Sequence, residues 1–297
     1  MKGFSTWILS IFLLFAASAV SAGNNACVTI IKADDLVCKP KLCPGVLHAG
    51  NGVSFRLSPG VSPRKLMGPS GSWLRIIVLD GNNPVRELPD SFYLGYGHLR
   101  HDKAHYVMIG EYTGGMHCCT RNHFFVRPAP GRKLRYLGTT AESDEGLDEK
   151  PFSCVAGKLY LEEHDMRFQS FHTPYAQSLL SLPTHYRLTP SAITIDNLPF
   201  HKKYIDMAGS LSVEIEAGAA KRQTVPDALI IEKDGEAYYA DEPAQLIVKR
   251  AILYLFAREE AEAWKNLEND MKKYYRQATG LDGLKKEIIS KLKEAPY

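Results

Sequence analysis

The chain has 297 residues, of which 45% are hydrophobic and 23% are charged. This composition is typical of a folded chain with one or two domains, and it excludes a disordered or fibrous protein. The 36 basic and 33 acidic residues leave a formal net charge of +3. Because so small a net charge creates no long-range field, we expect no nucleic-acid partner.

The first 22 residues have the features of a secretory signal peptide. Lys2 supplies a positive charge, an apolar run follows over 7–20, and Val20-Ser21-Ala22 is a small-residue cleavage site. We predict a mature chain that begins at Gly23, is periplasmic or secreted, and has no transmembrane segment after removal of the signal. A retained anchor is the alternative, but the stretch over 8–19 is shorter than the roughly 20 residues that span a bilayer.

Six cysteines follow the predicted cleavage site, and an even number of cysteines in an oxidising compartment predicts disulfides. They are Cys27, Cys38, Cys43, Cys118, Cys119 and Cys154. We expect one local bridge within the first three and another within the last three, and the sequence leaves the pairing open. A bridge between the two adjacent cysteines is disfavoured, because neighbouring Cα atoms lie about 3.8 Å apart, below the usual disulfide range.

Two kinds of hydrophobic pattern divide the mature chain. Short apolar segments separated by Gly, Pro and Asn predict strands over 28–31, 53–57, 73–79, 105–112, 123–126, 134–137, 158–161 and 193–195. Apolar residues at steps of three and four predict amphipathic helices over 243–256 and 259–275, and a third short helix that begins after Gly280. We predict an α+β fold, with a mainly antiparallel, disulfide-stabilised β domain over 23–225 and a helical segment over 226–297.

One window of 26 residues holds half of the ten histidines. It contains His98, His101, His105, His117 and His123. A predicted strand leads into Gly114-Gly115-Met116-His117-Cys118-Cys119, where the two glycines allow the backbone to reverse without steric cost. The loops around this block are the predicted binding face, and the residues assigned to it are Glu111, Tyr112, His117 and His123.

The block of Gly114, Gly115, His117, Cys118 and Cys119, followed by an aromatic strand over 123–126, resembles a family of uncharacterised bacterial exported proteins. That family is distantly similar to β-propeller blades of the FG-GAP or VCBS type. A looser likeness runs from Leu159-Tyr160-Leu161 through Asp165 to Arg167-Phe168, and the helices around Tyr254 and Trp264 resemble the helical tail of the same group. The resemblance covers about 90–190 and implies no activity.

Metal binding is an alternative that the sequence does not favour. Blade-type relatives carry calcium loops, but Arg100, Lys103 and Lys150 occupy the corresponding stretches and oppose a hard cation. His98, His101 and His105 could ligate a transition metal, but their spacing places them on one face only in a helix, and glycines nearby argue against a helix. We therefore predict no metal site and no cofactor.

Familiar catalytic motifs are missing from the chain. Gly68-Pro69-Ser70-Gly71 lacks the spacing of a nucleophile elbow, and neither a His-Glu-x-x-His motif nor a phosphate-binding glycine loop occurs. We expect a non-catalytic protein that binds a protein or small-ligand partner in the cell envelope, an inhibitor or immunity protein being a special case. The alternative is a periplasmic hydrolase of an envelope polymer, in which His117 acts with Glu111 or Asp165.

Overall fold

The structure is a computed structural model that describes residues 29–34, 45–60, 73–113, 120–140 and 152–294, and only the backbone of residues 29–34. The predicted signal peptide and the predicted solvated loop over 141–149 lie outside these ranges. Within them, the chain forms three antiparallel sheets and four α-helices.

The first sheet has eight strands and folds over on itself. Its strands are β1 (Thr29–Asp34), β2 (Val46–Gly50), β3 (Val53–Pro59), β4 (Leu74–Asp80), β5 (Asn83–His101), β6 (Ala104–Tyr112), β7 (Thr120–Arg127) and β8 (Arg135–Thr139). Strands β2 to β8 pair in chain order, and β1 pairs with β5. The 19-residue β5 has register shifts, so that its first half pairs with β4 and its second half with β6. Such bulges bend a strand.

Two hydrophobic cores lie on the two faces of β6 and β7. Val107 and Ile109 pack with Phe55 and Ile76 from the other half of the folded sheet. The alternating residues of β6 and β7 pack on the opposite side, because side chains of a strand point to alternate faces. They contact a second sheet, whose strands are β9 (Phe152–Val155), β10 (Lys158–Asp165), β11 (Leu182–Leu188) and β12 (Ile193–Ile195).

Four helices and a hairpin form the third core. They are α1 (His201–Ala220), β13 (Ile230–Lys233), β14 (Glu236–Tyr239), α2 (Glu242–Phe256), α3 (Glu260–Tyr274) and α4 (Leu281–Lys293). This core also takes in Phe168 and Leu182 from the region of the second sheet. Among the helices that the structure describes, none has both the length and the hydropathy needed to cross a bilayer.

The predicted class, a mainly antiparallel β structure with helices at the C-terminal end, is confirmed. The strands predicted near 53, 73, 105, 123, 134, 158 and 193 and all three helices are present. Helix α1 was not predicted, since Gly209, Ser210 and Val213 are poor helix formers in its middle. Burial of Tyr204 and Ile215 on one side of α1 stabilises it instead.

Candidate functional site

Two predicted binding residues meet in the interior of the first sheet. Glu111 lies near the end of β6, and His123 lies on the adjacent β7. His123 Nε2 is 2.8 Å from Glu111 Oε2, and His123 Nδ1 is 3.2 Å from the hydroxyl of Tyr136 on β8. Only 5% of Glu111 and 4% of His123 is exposed. The two side chains therefore form a buried, hydrogen-bonded pair across neighbouring strands.

The environment of this pair keeps Glu111 ionised. Burial acts to raise the pKa of Glu111, but hydrogen bonds from His123 and Ser91, together with the charges of His123 and Arg121, lower it below its usual value. Burial raises the pKa of Tyr136, whose ring is covered by the Arg86 guanidinium at 4.8 Å from the ring centroid. Tyr136 therefore stays protonated at neutral pH.

The other predicted site residues lie apart from this pair or outside the described ranges. Tyr112 follows Glu111 on β6, is half-buried, and packs edge-on against Phe92. His117 lies outside the described residues. Asp165, the other carboxylate considered for catalysis, is at the end of β10 in the second sheet, where Arg167 holds it. The structure thus brings Glu111 together with His123 and not with Asp165.

Cys154 is the one cysteine that the structure describes. It is not a free thiol but is disulfide-bonded, and its Sγ lies 3.9 Å from His101 Nδ1. The other five predicted disulfide cysteines lie outside the described residues, so the predicted framework as a whole stays a prediction.

The spacing of His98, His101 and His105 does not gather three imidazoles. His98 and His105 stack with ring centroids 5.0 Å apart, whereas His101 contacts Cys154 and Asp102. Within the part of the chain that the structure describes, no three His, Cys, Asp or Glu side chains are arranged to hold a metal ion.

A cleft of about 670 Å³ opens beside the stacked histidines. It lies between the turn of the β5–β6 hairpin and the loop that joins β7 to β8, with Asn51 and Asp80 at its side. Five of its lining residues are basic, and we call it the arginine cleft: Arg100, Lys103, Arg127, Arg132 and Lys133. Two are acidic, Asp80 and Asp102. The cleft therefore carries a net positive charge.

Its charges are unevenly paired. Asp80 is held by Arg127 and by the backbone N–H of Leu134 at 2.9 Å, so one cation and one carboxylate of the cleft neutralise each other. The side chain of Asp102 is 81% exposed. Among the described residues, none of the other four cations of the cleft makes an ion pair with a carboxylate.

His105 contributes a buried donor to the wall of the arginine cleft. Arg100 Nη2 donates to Asn51 Oδ1 at 3.3 Å, which turns the amide nitrogen of Asn51 toward His105 Nε2, also at 3.3 Å. Because an amide nitrogen can only donate, His105 Nε2 accepts. Burial, with the nearby charges of His98, Arg100 and Arg127, lowers the pKa of His105 to about 4, so the ring is neutral.

A neutral imidazole with an accepting Nε2 carries its proton on Nδ1. His105 is 8% exposed, and its Nδ1 has no hydrogen-bond partner among the described residues. A buried unpaired donor costs about 1–3 kcal/mol, so an acceptor placed there by a ligand would be favoured.

Sequence reasoning missed the arginine cleft. Its cations come from two segments about 25 residues apart in the chain, and each segment alone looks like an ordinary charged turn. The available indication was the basic run around the predicted turn over 128–131, with Arg127 before it and Arg132 and Lys133 after it.

Comparison of the chain with models of known protein families, with curated proteins and with solved structures found no match. The site geometry therefore carries the functional argument.

The neutral state of His105 predicts a pH-dependent stability. Its pKa is about 4 in the folded protein and about 6.5 when unfolded, so the unfolded chain binds the extra proton between these values. The free energy of unfolding is expected to fall as the pH drops from about 6.5 to about 4, by on the order of 3 kcal/mol from this residue.

Urea denaturation across this pH range measures the effect. The slope of stability against pH should become shallower in His105→Gln. In His201→Gln, which removes a half-exposed histidine paired with Glu259, the slope should stay close to that of the parent. Equal slopes in the parent and His105→Gln would contradict a buried neutral His105.

Proposed function

We propose that this chain is an exported, non-catalytic binding protein of the cell envelope, and that its ligand is an anion held in the arginine cleft. The observation that carries the proposal is the charge of the cleft, in which five cations face two carboxylates. A concave site with convergent charged groups of one sign concentrates ligands of the opposite sign.

The type of donor supports an oxygen-rich anion. Arginine presents planar pairs of N–H groups that match phosphate and carboxylate oxygens, and lysine adds point charges. Arg100, Arg132 and Lys133 supply such groups at the rim, and His105 Nδ1 offers a neutral donor in the wall. A ligand with several anionic oxygens would use both kinds of group.

The bonded state of Cys154 supports the predicted export. Disulfides form and persist in oxidising compartments, and they are rare in the cytosol. The signal-peptide pattern of the first 22 residues points to the same compartment.

Isothermal titration with orthophosphate, in a buffer free of other multivalent anions, tests the proposal. The double variant Arg132→Glu/Lys133→Glu should bind at least about 30-fold more weakly, since each reversal replaces an attraction by a repulsion. Both residues are exposed, so the fold should be unaffected. Asp102→Asn removes a negative charge from the cleft and should bind about fivefold more tightly.

The matched control is Lys233→Glu/Lys286→Glu, which reverses two exposed lysines on β13 and α4. It makes the same change in net charge away from the cleft and should retain most of the parent affinity. A loss equal to that of the cleft variant would assign the effect to net charge and overturn the proposed site.

A hydrolase of an envelope polymer is the second candidate, and the Glu111–His123 pair is the observation that favours it. A carboxylate that orients a histidine is an arrangement found in general-base catalysis. Incubation of the protein with purified peptidoglycan would test this candidate. Release of fragments by the parent, and its loss in Glu111→Gln with the fold retained, would favour the hydrolase over binding alone.

A further inference from the structure

A second cleft, of about 690 Å³, lies on the other side of the β5–β6 hairpin. The turn before β10 and the residues that follow β11 form its far wall. We call it the Tyr106 cleft; its charged lining residues are Lys103, Lys158, Arg187 and Asp102. It too has an excess of positive charge.

Two buried donors in this cleft lack partners. Tyr106 is 0% exposed, and neither its hydroxyl nor Nε of Arg187 has a hydrogen-bond partner among the described residues. Burial, with the charge of Asp102, raises the pKa of Tyr106 to about 12, so its hydroxyl keeps its proton and can donate. Unpaired buried donors are uncommon in folded proteins and favour a ligand that brings acceptors.

The two clefts meet at one turn. His105 borders the arginine cleft and Tyr106 borders the second cleft, and consecutive residues of a strand point to opposite faces of a sheet. Asp102, Lys103 and Ala104 line both clefts. A chain-like ligand could therefore extend from one cleft to the other past Lys103, whose charge serves both.

We propose, building on the anion-binding function above, that the natural ligand is an elongated polyanion that places anionic groups in both clefts at once. Joining two anionic groups in one molecule makes the second contact intramolecular, which raises affinity without requiring a new contact surface. Repeated anionic oxygens are the chemistry that both clefts recognise. Phosphates of a polyphosphate chain and carboxylates of an acidic glycan both provide it.

A length series tests the proposal. Orthophosphate, tripolyphosphate and a longer polyphosphate chain are titrated into the full mature protein. The long chain should bind at least about tenfold more tightly than orthophosphate. Lys158→Glu should remove most of that gain, and Tyr106→Phe should reduce it severalfold, while both variants leave orthophosphate binding in the arginine cleft nearly unchanged. Lys233→Glu, the matched single reversal, should alter neither affinity.

The outcomes separate this inference from the function on which it rests. If orthophosphate binds but the long chain gains nothing, or if Lys158→Glu leaves the gain intact, one ligand does not span both clefts and the arginine cleft alone stands. If no anion binds at any length, both proposals fail. Oligogalacturonides tested in parallel distinguish the sources, because tighter binding of the carboxylate or of the phosphate series identifies the group that is recognised.

Discussion

Replacing Asp270 with alanine is expected to lower the free energy of unfolding by about 3–5 kcal/mol. Asp270 on α3 pairs with Arg250 on α2, and only 8% of the arginine side chain and 12% of the aspartate side chain is exposed. Arg250 Nη1 also donates to Ser212 Oγ on α1 at 2.8 Å, so this guanidinium connects three helices. Without Asp270, a buried positive charge is left without its partner.

The control lies on the same helix. Glu268 pairs with Lys272 on the surface of α3, with 42% and 62% of the two side chains exposed. Glu268→Ala should cost less than about 1 kcal/mol, because solvent screens an exposed pair. Urea denaturation of both variants at neutral pH gives the comparison. Similar losses in the two variants would show that burial of the Arg250–Asp270 pair does not matter to stability.

Replacing His123 with leucine is the second change with a large expected effect, about 3 kcal/mol in the free energy of unfolding. The substitution leaves the Glu111 carboxylate buried without the ring nitrogen that now lies 2.8 Å away. Tyr136→Phe removes only the hydroxyl near the other ring nitrogen and should cost about 1 kcal/mol.

A double-mutant cycle isolates this interaction. Glu111→Leu/His123→Leu removes both polar groups, so it should cost less than the sum of the two single variants. An additive result would mean that Glu111 and His123 do not interact energetically, and it would weaken the hydrolase alternative as well. The contribution of Glu111 should be present above about pH 4.5 and decline as the pH falls below it, since its folded pKa is lowered.

The sequence predicted the elements with strong periodicity and missed those formed by tertiary contacts. Strands β6 and β7 and helices α2 to α4 follow their hydrophobic patterns. Strand β5 was not predicted because it contains Pro84, Pro89 and two glycines, and its two halves pair with different neighbours. Helix α1 has weak intrinsic propensity and depends on burial of one face.

The candidate site shows the same division. Glu111 and His123 were both assigned to the binding face because they flank one loop, and antiparallel pairing of β6 with β7 brings them into contact. Their burial could not be foreseen, since it depends on packing between the two halves of the folded sheet. The arginine cleft combines residues from the β5–β6 turn and the β7–β8 loop, and this proximity follows from topology rather than from any local pattern.

The most direct test of anion binding in the arginine cleft is ¹⁵N NMR of the histidine side chains during titration with orthophosphate. We predict that the His105 Nδ1 resonance shifts in a saturable manner, while that of His201, which lies on α1 and is paired with Glu259, does not. The His105 shift should be lost in Arg132→Glu/Lys133→Glu. A His105 resonance that stays unchanged while orthophosphate binds elsewhere, or that shifts equally in the charge-reversed variant, would contradict the account.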